Sequence, residues 1–213
     1  MSYTVFVIGN IASGKSTACR YLASRGARHI DLDHLAKSLY VPDSPLVQAI
    51  ADEFGWDVLD ASGGIRTSVL AERAFATPET AEVLNSLVHP VLLELLSNLL
   101  LPIQCCSTLA PEYPLTIVEV SAPASFSEAF GLADEVLAIT APFEVRRARA
   151  LARGMSALDF ESRASIQPSE ESLVEMAGHV IDNSIADDSL FDHLDRWIEA
   201  RGILGLNEAH AER

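Results

Sequence analysis

Three observations predict an α/β fold built on a five-stranded parallel sheet. Short apolar runs alternate with longer stretches of helical period, the pattern of parallel strands joined by crossover helices. The first apolar run leads directly into a glycine-bracketed turn and then a helical segment. Of the 213 residues, 49% are hydrophobic, enough to close one sizeable core.

Five strands are expected, at Thr4–Ile8, Arg28–Asp31, Thr116–Val120, Val136–Thr140 and His179–Asp182. The first helix should open at Gly14 and run to about Ser24, turning Ala18, Tyr21 and Leu22 inward before Gly26 ends it. From His34 to Leu100 the signals are helical, punctuated by Pro42, Pro45, Gly63-Gly64, Pro78 and Pro90, and this region reads as a helical insertion at one edge of the sheet. Within it, His89-Pro90 reads as a helix start with proline in the first turn. Leu101 to Pro114, with three prolines and Cys105-Cys106, reads as an irregular loop, and the tail from Gly202 is polar enough to fray. The expectation is one folding unit with its core at about residues 1–33, 115–150 and 178–200, the insertion at about 34–100 and a lid at about 153–170.

Fifteen Lys and Arg stand against 30 Asp and Glu, a formal net charge of −15. Such a surface repels a phosphate backbone, which argues against a nucleic-acid partner. There is no uninterrupted apolar run of 18 residues, and Met1-Ser2-Tyr3-Thr4 enters a strand pattern without a basic leader, so a soluble cytoplasmic protein without a membrane partner is expected. Cys19, Cys105 and Cys106 are too few and wrongly spaced for a disulfide framework or a zinc knuckle, and all three are read as reduced with no metal role.

Gly9-Asn10-Ile11-Ala12-Ser13-Gly14-Lys15-Ser16 fits G-x-x-x-x-G-K-[ST] without a mismatch. Its context fits too, since Val5-Phe6-Val7-Ile8 precedes it and a helical run follows, so loop amides and a helix N-terminus converge on one anion. The chemistry implied is ATP binding in a P-loop NTPase fold, the backbone from Asn10 to Thr17 cradling phosphates. Lys15 reaches the β and γ phosphates, and the Ser16 hydroxyl ligates Mg2+.

Asp31-Leu32-Asp33 followed by Ala36-Lys37, Arg66 with Leu70, Arg73 and Phe75, His89-Pro90, Arg149 and Arg153, Arg163 with Gln167, and Val180-Ile181-Asp182-Asn183 stand in order beside that loop. With them the chain resembles dephospho-coenzyme A kinase from Val5 to about Ser184. The resemblance implies a P-loop kinase that uses ATP and Mg2+ to phosphorylate the ribose 3′-hydroxyl of dephospho-coenzyme A, with Asp33 as the base and the helical insertion binding the acceptor. The chain departs from the family in three places. Asn10 and Ala12 replace glycines, Ser121 to Phe126 replaces an apolar segment ending in an acid, and Leu173, Val174 and Ala177-Gly178 stand where basic residues and an Ala-Asp pair are usual.

Residue by residue, Asp31 and Asp33 flank the end of the second strand, at the carboxyl edge where open α/β sheets bind ligands. A carboxylate there suits a base that orients an attacking hydroxyl, and a helix N-cap explains it as well. Arg146, Arg147, Arg149 and Arg153 form the densest basic cluster. Arg149 and Arg153 share one helix face and suit a phosphate clamp, whereas Arg146 and Arg147 read more readily as a solvated face. Gly154 suits a lid hinge. Arg66 suits a pyrophosphate of the acceptor and reads equally as a surface arginine. His89 suits a contact to the acceptor but reads more readily as structural, and Asp182-Asn183 ends the last strand beside the loop as a turn or a wall for adenine. Two other readings stay open: a nucleoside or nucleotide kinase of the same architecture, and a nucleotide-binding protein that has lost transfer.

Overall fold

The structure is a computed structural model that describes residues 2–100, 113–185 and 189–206. Cys105, Cys106, most of the 101–114 segment and the end of the tail lie outside the described residues. The described parts of Met1–Leu32 and Cys106–Arg213 form one compact unit, and those of Asp33–Cys105 a second.

In the first unit, β1 (Tyr3–Ile8) leads through the P-loop into α1 (Lys15–Ser24) and then β2 (Arg28–Asp31). The helix α2 (Leu32–Ser38) begins directly at the end of β2. In the second unit, α3 (Pro45–Phe54), α4 (Thr67–Ala74) and α5 (Pro78–Leu100) follow. The chain returns to the first unit as β3 (Leu115–Glu119), β4 (Glu135–Thr140), α6 (Phe143–Ala152), α7 (Ala157–Ser165), α8 (Glu170–Met176), β5 (His179–Asp182) and α9 (Ser189–Ala200).

The five strands form one sheet in the order β2-β3-β1-β4-β5, parallel throughout, as the periodicity predicts. Strands covered on both faces carry near-continuous apolar runs. Accordingly Val5, Phe6, Val7, Ile8, Leu115, Ile117, Val118, Leu137, Ala138 and Ile139 are buried. Against one face lie Ala18, Cys19 and Leu22 of α1 and Leu190, Leu194, Trp197 and Ile198 of α9. Because β3 and β4 flank β1 on opposite sides, the chain reverses direction across the sheet at β1. The crevice above its carboxyl end is the expected ligand position.

The second unit has its own core. In α5 the apolar residues Leu84, Val88, Leu92 and Leu96 recur every four positions and are buried, as are Val47, Ile50 and Phe54 of α3 and Leu70 of α4. By length and composition alone α5 could cross a membrane, but its leucine stripe belongs to this core. The expected helix start at His89-Pro90 is corrected here, since α5 runs unbroken from Pro78 to Leu100 with Pro90 inside it. Proline removes one intrahelical donor, a loss that a 23-residue helix docked along its length absorbs.

Candidate functional site

The P-loop takes its shape from two close approaches. A Cβ on Gly9 would lie 2.6 Å from the Ile139 carbonyl oxygen, so β1 can lead into the loop this close to β4 only through a residue without a side chain. Gly14 has φ 108° and no room either, because a Cβ there would lie 2.2 Å from Asn183 Nδ2. Between them Ala12 holds a left-handed φ of 61°, a conformation that disfavours an L side chain. This is the local consequence of an alanine at that position.

The helix that follows is left open to an anion. α3, α7 and α8 are each capped by a serine, Ser44, Ser156 and Ser169, whose hydroxyl accepts a backbone N–H. α1 has no side-chain cap and no acid in its first turn, so its leading amides are free to serve a phosphate.

Beneath the loop, four side chains meet on Glu119, the last residue of β3. Its Oε1 accepts from Lys15 Nζ at 2.9 Å and from the Ser16 hydroxyl at 2.6 Å. Its Oε2 lies 3.0 Å from His29 Nε2. The Cys19 thiol is near, its sulfur within 4.8 Å of the His29 and Glu119 donor atoms. Lys15 also donates to Ser121 Oγ at 3.0 Å. Burial alone would push the Glu119 carboxyl up. Hydrogen bonds from His29 and Ser16 and the charge of Lys15 outweigh it and hold the group well below the usual carboxylate range. For Cys19, burial is the main cause of a thiol pushed up, and the neighbouring Glu119 charge adds to it.

This arrangement fits a nucleotide with its cation. A Ser16 hydroxyl that donates its hydrogen bond to Glu119 keeps its lone pairs for a metal ion, and Lys15 stands in reserve beside the loop. Glu119 was not among the residues singled out in the sequence. Its signal is visible in hindsight as an acid ending the otherwise apolar run Leu115-Thr116-Ile117-Val118 at the carboxyl edge.

The arginine cluster divides. Arg149 donates to the carbonyls of Asn183 at 2.8 Å and Ile185 at 3.1 Å, and Asn183 in turn donates Nδ2 to the Ser13 carbonyl at 2.7 Å. Asn183 therefore ties β5 to the loop. Arg149 and Arg153, which follows the end of α6, line a cleft of about 170 Å³ with Gly14, Thr17, Asn183, Ile185, Leu190 and Phe191. Arg146 is not the solvated residue its sequence context suggests. It is 8% exposed, with Nε donating to Ala141 O at 3.0 Å and Nη1 reaching Ile11 O at 3.5 Å. Arg147 does face solvent, paired with Glu161 at 3.4 Å.

The 167–168 segment also touches the loop. Gln167 Oε1 accepts from the Ile11 N–H at 2.8 Å, and Asn10 Nδ2 donates to the Pro168 carbonyl at 2.9 Å. The remaining predicted residues are placed by their own elements. Asp31 ends β2, exposed, and Asp33 is exposed in the first turn of α2. In the second unit, Arg66 is exposed at the N-cap of α4, its amide bonded to Val58 O at 2.7 Å, and His89 is half-buried within α5. Arg73 is paired with Asp57.

Comparison with known proteins gives a consistent result. A family model described as dephospho-CoA kinase matches residues 3–188. A dephospho-CoA kinase of Corynebacterium diphtheriae is 34% identical over 184 residues, 85% of this chain and 88% of its own length. One from Frankia casuarinae is 32% identical over 197 residues, covering 92% of this chain and 81% of its own. Among solved structures, a protein of Thermus thermophilus aligns with a TM-score of 0.72 at 27% identity, over 96% of this chain and 98% of that one.

Proposed function

The chain belongs to the dephospho-CoA kinase family, and from that premise we propose that it transfers the terminal phosphoryl group of ATP to the ribose 3′-hydroxyl of dephospho-coenzyme A in the cytoplasm. The observation that carries this reading is the convergence of Lys15 and Ser16 on one oxygen of Glu119 at the uncapped start of α1.

The loop amides from Asn10 to Thr17 bind the phosphates, and Lys15 exchanges Glu119 for their oxygens. Mg2+, when bound at Ser16, neutralises charge on the phosphates during transfer. Glu119 continues to accept the Ser16 hydroxyl hydrogen bond and so orients the hydroxyl's lone pairs. Arg149 and Arg153, on the wall of the cleft next to Gly14, extend guanidinium groups toward the phosphates and stabilise charge on the transferring group. The apolar wall of that cleft, Ile185, Leu190 and Phe191, suits the nucleoside end of ATP. Asp33 orients the acceptor hydroxyl and takes its proton, and Arg66 and His89 bind the acceptor. The stretch at about 153–170 serves as the lid.

A coupled ADP-release assay with dephospho-coenzyme A beside a panel of nucleosides and nucleotides tests the proposal. Turnover confined to dephospho-coenzyme A is expected. Preferential turnover of a nucleoside would move the chain to another acceptor, and ATP binding without turnover of any acceptor would make it a nucleotide-binding protein.

A further inference from the structure

Glu119 divides its two oxygens between two neighbours. Oε1 faces the P-loop and takes Lys15 and Ser16, and Oε2 faces β2 and takes His29. The register explains the reach. β2 and β3 are parallel with Asp31 beside Glu119 and His29 beside Ile117, so His29 lies two residues back on the neighbouring strand and its long side chain extends diagonally forward. An ionised carboxylate only accepts hydrogen bonds, so the His29 Nε2 atom carries the hydrogen.

We infer that His29 is a positioning residue, whose hydrogen bond keeps Glu119 in place when Lys15 leaves it for phosphate. The inference rests on the nucleotide-binding reading above. Without nucleotide, Glu119 is held three ways and the charge of Lys15 balances its own, so it tolerates the loss of His29. With nucleotide, Lys15 transfers to the phosphates. Glu119, 6% exposed, then depends on the Ser16 hydroxyl and on His29 for the remaining hydrogen bonds to its carboxylate. Cys19, the other polar neighbour, is at best a weak donor. If His29 is removed, a buried carboxylate that has lost one oxygen's partner holds Lys15 more tightly and gives it up less readily. The loss therefore falls on nucleotide binding and spares the stability of the free protein.

The test is calorimetric titration of the full chain with ADP and Mg2+, together with thermal denaturation without nucleotide, on wild type, His29→Leu and His29→Gln. His29→Leu is expected to lose about tenfold or more in affinity, the range for a hydrogen bond to a charged group, with little change in the melting temperature of the free protein. His29→Gln, which restores an N–H donor at similar reach, is expected to recover most of the affinity. Should the leucine variant not fold, His29→Asn, polar but too short to reach, takes its place. Wild-type affinity in His29→Leu, or a glutamine variant as weak as the leucine one, would overturn the inference. So would losses of stability and affinity that run in parallel. A wild type that binds no ADP would overturn the nucleotide reading itself, so the two failures are distinguishable.

Discussion

Asn183 Nδ2 occupies the space where a side chain on Gly14 would begin, 2.2 Å from an ideal Cβ, and it donates from there to the Ser13 carbonyl at 2.7 Å. The end of β5 and the turn into α1 are thus built as one piece. Gly14→Ala meets both this contact and a φ of 108°. It is expected to cost at least about 2 kcal/mol of stability and to abolish ATP binding, read by chemical denaturation and nucleotide titration.

Lys15→Ala is expected to abolish transfer, and it should also destabilise the protein. Lys15 is 8% exposed and paired with a buried carboxylate, so it is a packed residue as well as a phosphate contact. Removing it leaves the buried Glu119 charge without its counter-charge, at a cost of about 3 kcal/mol. The double variant Lys15→Ala with Glu119→Gln should regain part of that stability while remaining inactive. A single variant as stable as wild type would mean the ion pair contributes nothing.

The same carboxylate gives a pH dependence with a definite sign. Its folded pKa lies below its unfolded one, so its contribution is present above the unfolded value and is lost as pH falls through the folded value. Wild type minus Glu119→Gln stability should therefore hold constant near neutral pH and shrink as the solution is acidified below about pH 4.5. Urea denaturation along a pH series measures it, and a difference that grows on acidification contradicts the assignment.

At Ala12 the loop holds an alanine in a left-handed backbone conformation. With φ at 61°, Ala12→Gly is expected to relieve about 1 kcal/mol of native strain, offset in part by the greater freedom of glycine in the unfolded chain. A small rise in melting temperature with unchanged turnover is expected; a fall would show that the alanine conformation is not strained.

Arg149 has a double attachment to the carbonyls after β5 and faces the cleft beside Gly14. Arg149→Ala should lower turnover at least about tenfold at saturating substrates, and Arg149→Lys should recover little, because an ammonium lacks the planar fork. For Asp33→Asn the loss should fall on turnover far more than on ATP affinity, since its proposed partner is the acceptor hydroxyl. Equal losses there would point to the metal instead.

Read alone, the sequence determined what depends on local pattern. The strands ending at Ile8 and Thr140 are legible because short apolar segments flanked by turn residues have few alternatives, and the P-loop is legible because its glycines and Lys15-Ser16 are contiguous. The family follows from the same ordered motifs. Burial and partnership were decided by tertiary structure. Pro90 lies inside α5 and not at its start because packing along the leucine stripe outweighs one lost hydrogen bond. Arg146 is buried because α6 turns it back onto Ala141 and Ile11. Glu119 becomes the centre of the site because parallel pairing of β2 with β3 and of β3 with β1 brings His29, Lys15 and Ser16, up to 104 positions away in the chain, onto one carboxylate. Propensity and periodicity act over a few residues, whereas strand order and register set which distant side chains share a charge.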